Sequence, residues 1–299
     1  MDDDSARRSG GSTVGLEQFD RVACGVVEQD LFAADAGDDV VPEPGAGVPQ
    51  PERLTIDGRP RSTWGWFEGV GVYLIAFLAA GFAQIPILLL LGETMVNGAI
   101  GQTEIFATIV GDIVMVGVLV FWLRRWHPEW RAAMVLPPAR DRFWRDVLFG
   151  AIAGLILVPT VSVISGVVAA VFREAVGHDV TVPEQVAPGL SLVAKGFLVV
   201  LAVVIAPISE EFFFRGVLFR TVRDRHGFWA AALASALPFG LVHYVPSPAI
   251  DALVLQITMV FTGLGLAWIY ERRGTVLAST AAHMVFNIVG LVLILGIAR

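Results

Sequence analysis

Residues 147–172 read VLFGAIAGLILVPTVSVISGVVAAVF, an apolar run without a single charged side chain. The hydrocarbon core of a bilayer is crossed by about 20 apolar helical residues. The run meets that length, and its apolar positions are continuous rather than alternating, which excludes the strands of a membrane barrel. Working outward, the same texture recurs. Residues 69–91 carry no charge, 105–123 carry Asp112 alone, and 190–209 carry Lys195 alone. Residues 227–250 and 275–298 are uncharged apart from His243 and His283, and 252–270 have no charge. We therefore expect an all-α polytopic membrane protein with seven transmembrane helices. An eighth is counted if the segment 210–225 also spans. That segment is apolar at Phe212-Phe213-Phe214 and Val217-Leu218-Phe219, yet it holds two Glu and four Arg. Because Pro207 precedes it, the spacing predicts a kink or stop there and a short helix at the membrane boundary.

Composition agrees. Of 299 residues, 55% are hydrophobic and only 16% charged, with a mean hydropathy of +0.69. Soluble domains carry about 25% charge. The net charge of −7 is local. Residues 1–50 carry −8, from Asp2 to Glu43 against Arg7, Arg8 and Arg21, and the remainder carries +1. Residues 1–62, rich in Gly, Asp and Pro, bury too little apolar surface to order themselves. They are expected to form a disordered acidic cytoplasmic tail, leaving 63–299 as the membrane domain. No basic stripe is present, so no nucleic-acid partner is expected. The single cysteine, Cys24, cannot form an internal disulfide. It also lacks the apolar run of a secretory signal.

Arginines alternate between loops. Arg53, Arg59 and Arg61 precede the first span, and the loop 92–104 has no base. Arg124, Arg125, Arg131, Arg140, Arg142 and Arg145 follow the second span. Arg173 and the acids Glu174, Asp179 and Glu184 follow the third, Arg215, Arg220, Arg223 and Arg225 the fourth, and Arg272 and Arg273 the sixth. The positive-inside rule then predicts a multi-pass protein of the cell (cytoplasmic) membrane, N-terminus in the cytoplasm and C-terminus outside. Trp64, Trp66, Trp122, Trp126, Trp144 and Trp268 read as interfacial anchors. His127, His178 and His226 read as solvated loop residues.

Ionisable groups inside spans are costly and mark functional sites. They gather in the last third of the chain. Glu211 and Arg215 stand four residues apart on a helix with the acid first, the favoured order for an ion pair. Glu210 is rotated away and remains free. His243 follows Phe239, and His283 shares a helical face with Asn287, also four residues on. Such groups can hold a metal, bind an oxyanion or bond neighbouring helices. Together they fit a buried hydrolytic site. A carboxylate can take a proton from water, and a His/Asn pair can stabilise an oxyanion. Glu210, His243 and His283 also match a catalytic zinc set with an open fourth position. Asp112 either faces the cavity or pairs with Lys195 or an arginine.

Three motifs, Glu210-Glu211-x-x-x-Arg215, Phe239-x-x-x-His243 and His283-x-x-x-Asn287, occur in this order in late membrane helices. Over residues 195–292 the chain thereby resembles the CPBP intramembrane (metallo)protease family. That family includes CAAX prenyl endopeptidases of the Rce type and bacterial Abi proteins. The resemblance implies an intramembrane endopeptidase acting on a membrane-associated protein or peptide. Its active site would be a conical, membrane-embedded cavity open to the cytoplasm. Position by position, Glu210 activates water with help from His243, and His283 and Asn287 stabilise the oxyanion. Glu211 and Arg215 support them. The resemblance leaves open a divalent ion such as zinc, held by Glu210, His243 and His283, or a metal-free Glu-activated water. From residues alone, a non-catalytic scaffold or transporter with a buried Glu/His cluster is the alternative.

Overall fold

Long uncharged runs have no choice but to satisfy their backbone internally, and in lipid that means helices. The computed structural model describes residues 61–92, 94, 95, 98–136 and 140–297. Among these it shows helices, loops and a single parallel bridge between Ile100 and Val186. The helices are α1 (Trp66–Leu91), α2 (Gln102–Trp126), the single turn α3 (Trp130–Ala133), α4 (Phe143–Val176), α5 (Leu192–His226), α6 (Phe228–Val242), α7 (Ala249–Arg273) and α8 (Val276–Ile297). Six are long and apolar enough to cross a membrane: α1, α2, α4, α5, α7 and α8. The seventh apolar helix, α6, has 15 residues. At 1.5 Å per residue it reaches about 22 Å, less than a full hydrocarbon core. The polytopic all-α fold is as expected from the sequence. The expected tail lies outside the described residues apart from Arg61 and Ser62. Ser62 is buried and donates its N–H to Asp224 at 2.8 Å.

Three local expectations need correcting. The fourth span and the segment 210–225 are one helix, α5, of 35 residues, so the eighth element does not exist separately. Pro207 does not stop it, because the helix widens just before the proline. Over Leu201–Ile205 the turns are of π type, and the Ala206 N–H bonds the Leu201 carbonyl five residues back. Pro207 then sits in the first turn of the following α segment, Ala206–Glu211, where a missing N–H is tolerated. The expected span 227–250 ends early, at Val242, where Pro246 and Pro248 prevent continuation. Trp64, Trp122 and His127 are not surface groups. Trp64 is fully buried, its indole N–H donating to the Val217 carbonyl at 3.1 Å. It packs edge-on against Trp122 and His127 at 6.1 and 5.6 Å. His127 is held between Glu68 (2.9 Å) and Thr63 (2.8 Å). Trp66, Trp126, Trp144 and Trp268 are exposed, as anchors require.

The ends of the bundle differ. Arg61, Arg124, Arg142, Arg220, Arg223 and Arg273 lie at one end, with their neighbouring arginines. Ion pairs brace it: Arg223 holds Glu271 at 2.7 Å, and Arg273 holds Asp146. Of lysines and arginines among the described residues, the opposite end, formed by the connections after α1, α4 and α6, carries only Arg173 and Lys195 near its helix ends.

Lipid offers no hydrophobic drive for helices to associate, so close van der Waals contact must supply it. The α4/α8 contact shows how. A Cβ at Gly150 would sit 2.2 Å from the Ala278 carbonyl oxygen, and one at Gly154 2.4 Å from that of Ala282. Gly166 on the same helix faces open space. Gly154→Val should therefore force α4 and α8 apart, at about 1–3 kcal/mol for overpacking. Its unfolding midpoint in detergent should fall, with that of Gly166→Val unchanged. Equal midpoints for both would contradict this packing.

Candidate active site

The site is assembled from α5 outward. Glu211 and Arg215 form the i, i+4 pair expected from their spacing, with Arg215 Nη1 donating to Glu211 Oε1 at 2.8 Å. Both side chains are completely buried. Arg215 Nη2 donates to the Gly263 carbonyl on α7 at 2.9 Å, and the guanidinium lies 4.8 Å over the Phe239 ring of α6. The same Glu211 oxygen receives His283 Nδ1–H from α8 at 3.1 Å. A carboxylate already facing a guanidinium is the acceptor there, so the proton belongs on His283 Nδ1 and the Nε2 lone pair is left bare.

His243 is fixed in the same sense. It caps the end of α6, and its Nδ1 donates to the Phe239 carbonyl at 2.7 Å. A carbonyl can only accept, so the proton is again on Nδ1. Phe239 is the spacer between the two imidazoles, its ring centroid 4.6 Å from that of His243 and 5.8 Å from that of His283.

Glu210 stands between them. Its Oε2 lies 3.9 Å from His243 Nε2 and 3.9 Å from His283 Nε2. Both gaps exceed a hydrogen bond. Among the described residues this buried oxygen has no hydrogen-bond partner. Glu210 Oε2 thus marks a point 3.9 Å from each of two further acceptors, with no protein hydrogen between. Such a point is satisfied by a molecule bringing its own hydrogens, as water does, or by a cation. Hydropathy alone spread Glu210, His243 and His283 over roughly 10–20 Å of depth along their helices. The single long α5 removes that conflict by carrying Glu210 at mid-helix.

Asn287 lies one turn beyond His283, and its amide donates to the Ala202 carbonyl at 2.7 Å. The cause is local. In the wide-turn register of 201–205 the Ala202 carbonyl would accept from residue 207, and residue 207 is proline. Asn287 supplies the missing donor and keeps a second amide hydrogen.

These groups line a cavity of about 590 Å³ enclosed by α1, α2, α5, α6, α7 and α8. Asp112 also lines it. Of the alternatives open for Asp112, the structure shows the cavity-facing one, with Ser209 Oγ at 3.5 Å. Neither Ser209 nor Tyr73, whose ring stacks on Phe213 at 3.8 Å, carries a signal in the sequence that points to the site. Both enter through contacts between residues far apart in the chain.

The donor chemistry of two imidazoles and a carboxylate suits zinc, but the spacing does not. With bonds of 2.0–2.2 Å, ligand atoms on a tetrahedral zinc lie about 3.4 Å apart. Among the described residues no three His, Cys, Asp or Glu side chains stand close enough to hold an ion as they are placed.

Comparison with known proteins bears on this same region. Residues 192–289, from the first residue of α5 to just past Asn287, match the family described as type II CAAX prenyl endopeptidase Rce1-like. The resemblance read from the three motifs therefore holds for that segment. Over 94 residues the chain is 29% identical to a Bacillus subtilis (strain 168) protein named "Putative membrane peptidase YdiL". That match covers 31% of this chain and 36% of the relative, so the chain spans about a third of the relative's length. No solved structure matches the chain.

The Arg215 arrangement generates a stability test. Removing one partner of a buried pair strands the other, at about 3–5 kcal/mol. Arg215→Met should therefore be strongly destabilised in detergent, and Arg215→Met with Glu211→Gln should recover part of the loss. A double variant no better than the single one would show that Glu211 is not the group left stranded.

Proposed function

We propose that this protein is an intramembrane endopeptidase in which Glu210 activates water against a peptide bond of a membrane-associated protein or peptide. The observation that carries the reading is the convergence of Glu210 Oε2 with two Nε2 atoms at 3.9 Å inside a membrane-embedded cavity. Its support from outside is the match of residues 192–289 to a CAAX endopeptidase family.

In this mechanism a water bridges Glu210 Oε2 and His243 Nε2. Glu210 takes one proton as the oxygen attacks the carbonyl carbon, then delivers it to the leaving amine. His243, its tautomer fixed by the Phe239 carbonyl, holds the other hydrogen and aims the lone pair. The developing oxyanion is met by the free amide hydrogen of Asn287 and by His283, which takes up a second proton from solvent at Nε2 before the attack and has that charge balanced by Glu211 at Nδ1. Glu211 and Arg215 touch no reacting atom. They position His283 through Nδ1. This reading requires no metal.

Glu210→Gln preserves shape and removes the base. In detergent or liposomes, with a quenched membrane-peptide library, its cleavage should fall by at least about 100-fold, with an unfolding midpoint like the wild type. Wild-type cleavage should persist in chelator. A Glu210→Gln protein that cleaves normally would sink the proposal, and one that fails to fold would favour a packing role for the cluster. Loss of wild-type activity in chelator, restored by zinc, would replace the free water with a metal-bound one.

A further inference from the structure

We propose that substrate enters this site from the extracytoplasmic side of the membrane, and that the substrate is a polypeptide segment presented there. This rests on the protease reading for the word substrate, but the direction of access rests on observations of its own.

The first is where the space lies. The cavity reaches the surface among loops of the arginine-poor end, and its inner end, lined by Tyr73, Phe213, Phe214 and His283, lies just past the middle of the bundle. On α1 it begins at Tyr73 and proceeds to Gln84, on α2 it stops at Met115, and on α5 it stops at Phe214. Its remaining walls are loop residues of the arginine-poor end, among them Met95, Gly98, Gln185, Val186, Tyr244 and Pro246. Met95, Gln185, Tyr244 and Pro246 are exposed and form a rim. The rim is tied together. Ile100 N–H donates to Gln185 O at 3.0 Å and Ala187 N–H to Ile100 O at 2.9 Å. Gly98, with φ +82°, lies so close to the Pro246 carbonyl that a Cβ would meet it at 2.3 Å.

The second is that the inner end of the cavity is closed by tight packing. Below Glu210 the side chains of Trp64, Met134, Phe213, Phe214, Arg215 and Val217 are all at most 1% exposed. These packed side chains form the floor of the cavity on that side.

The third is charge. Arginines congregate on the cytoplasmic side of a membrane protein, counted over short loops near the span ends. The bundle obeys this at every connection, which puts its solid, arginine-rich end in the cytoplasm and its hollow end outside. The resemblance drawn from the motifs implied a cytoplasmic opening; the walls and the arginines of this chain point the other way.

The chemistry of the occupant follows. Among the charged side chains lining the cavity are the acids Asp112 and Glu210, with no lysine or arginine. An extended, largely apolar segment without acidic side chains is accommodated without like-charge repulsion. An exported polypeptide, or the outer flank of a membrane-anchored one, supplies such a segment on that side.

The test uses the full chain with its only cysteine replaced, Cys24→Ser, and a reporter cysteine at Tyr244 on the rim or at Asp141 on the opposite end. In spheroplasts a membrane-impermeant maleimide should label Tyr244→Cys at once and Asp141→Cys only after lysis. The reverse pattern overturns the proposal. In detergent, a polyethylene-glycol maleimide on Tyr244→Cys should abolish cleavage, while the same cap on Asp141→Cys should leave it intact. Undiminished cleavage with the rim capped would show that the mouth is elsewhere. Absence of cleavage in the uncapped parent would instead count against the protease reading, and the labelling pattern would still decide which face the cavity opens on.

Discussion

Arg215 is a permanent cation in the middle of a membrane helix with no water around it, and much of the bundle is arranged to make that tolerable. A charge in this setting must be matched by an opposite charge and by further hydrogen bonds. Glu211 supplies the first on the same helix, Gly263 supplies a carbonyl from α7, and Phe239 lays the face of its ring beneath the guanidinium from α6. Through Glu211 the same arrangement reaches His283 on α8. One buried cation thus fixes four helices relative to each other. It also sorts the two adjacent carboxylates. Glu211 is committed to the cation, while Glu210, one residue earlier and on another face, has no guanidinium to bind it and stays available in the cavity.

The division of the bundle into a packed half and a hollow half has a compositional basis. The packed half is filled by bulk: Trp64, Trp122 and Trp130 cluster with Met134 and Val217, and Phe213 and Phe214 close the cavity where the two halves meet. The hollow half is walled by small residues at the level of the site, including Ala80, Gly81, Gly111, Ala202 and Ala206. Small residues allow helices to approach and also leave room beside them. The polar groups that need a fixed orientation, His243 and His283, are placed where the two halves meet, each held by the nitrogen turned away from the cavity.

Much of this was legible in the sequence, for identifiable reasons. The spans could be read because a bilayer imposes a minimum length on uncharged runs. The Glu211–Arg215 pair could be read because helical periodicity alone brings positions 211 and 215 together. The grouping of Glu210 with His243 and His283 could be read from residue type and order, but their meeting point could not. Depth measured along each helix separately takes no account of tilt or of a continuous α5. Proline at 207 misled because its effect in an ordinary helix is to break it, whereas here a neighbouring wide turn and a side chain from α8 absorb the missing donor. Trp64, Trp122 and His127 misled because proximity to a span end says nothing about which way a side chain faces. Asp112 and Ser209 are 97 residues apart, and no local pattern announces their meeting.

The wide turn at Leu201–Ile205 has an arithmetical consequence. A π turn accommodates one residue more than an α turn, and one residue is about 100° of rotation around a helix axis. The stretch that follows is therefore turned by that angle relative to residues 192–200, and the face bearing Glu210 owes its bearing to the additional residue; a second wide stretch, Phe212–Phe219, adds its own offset beyond the site. Proline makes the phase difference hard to relax. Were the stretch to tighten into ordinary turns, Pro207 would confront the carbonyl four residues back, and the Asn287 amide would lose its acceptor. Positions 201–205, 207 and 287 thus behave as one setting. Shortening the stretch by a single apolar residue would hardly alter its hydropathy, yet it would turn the first half of α5 against the second like a mis-set dial.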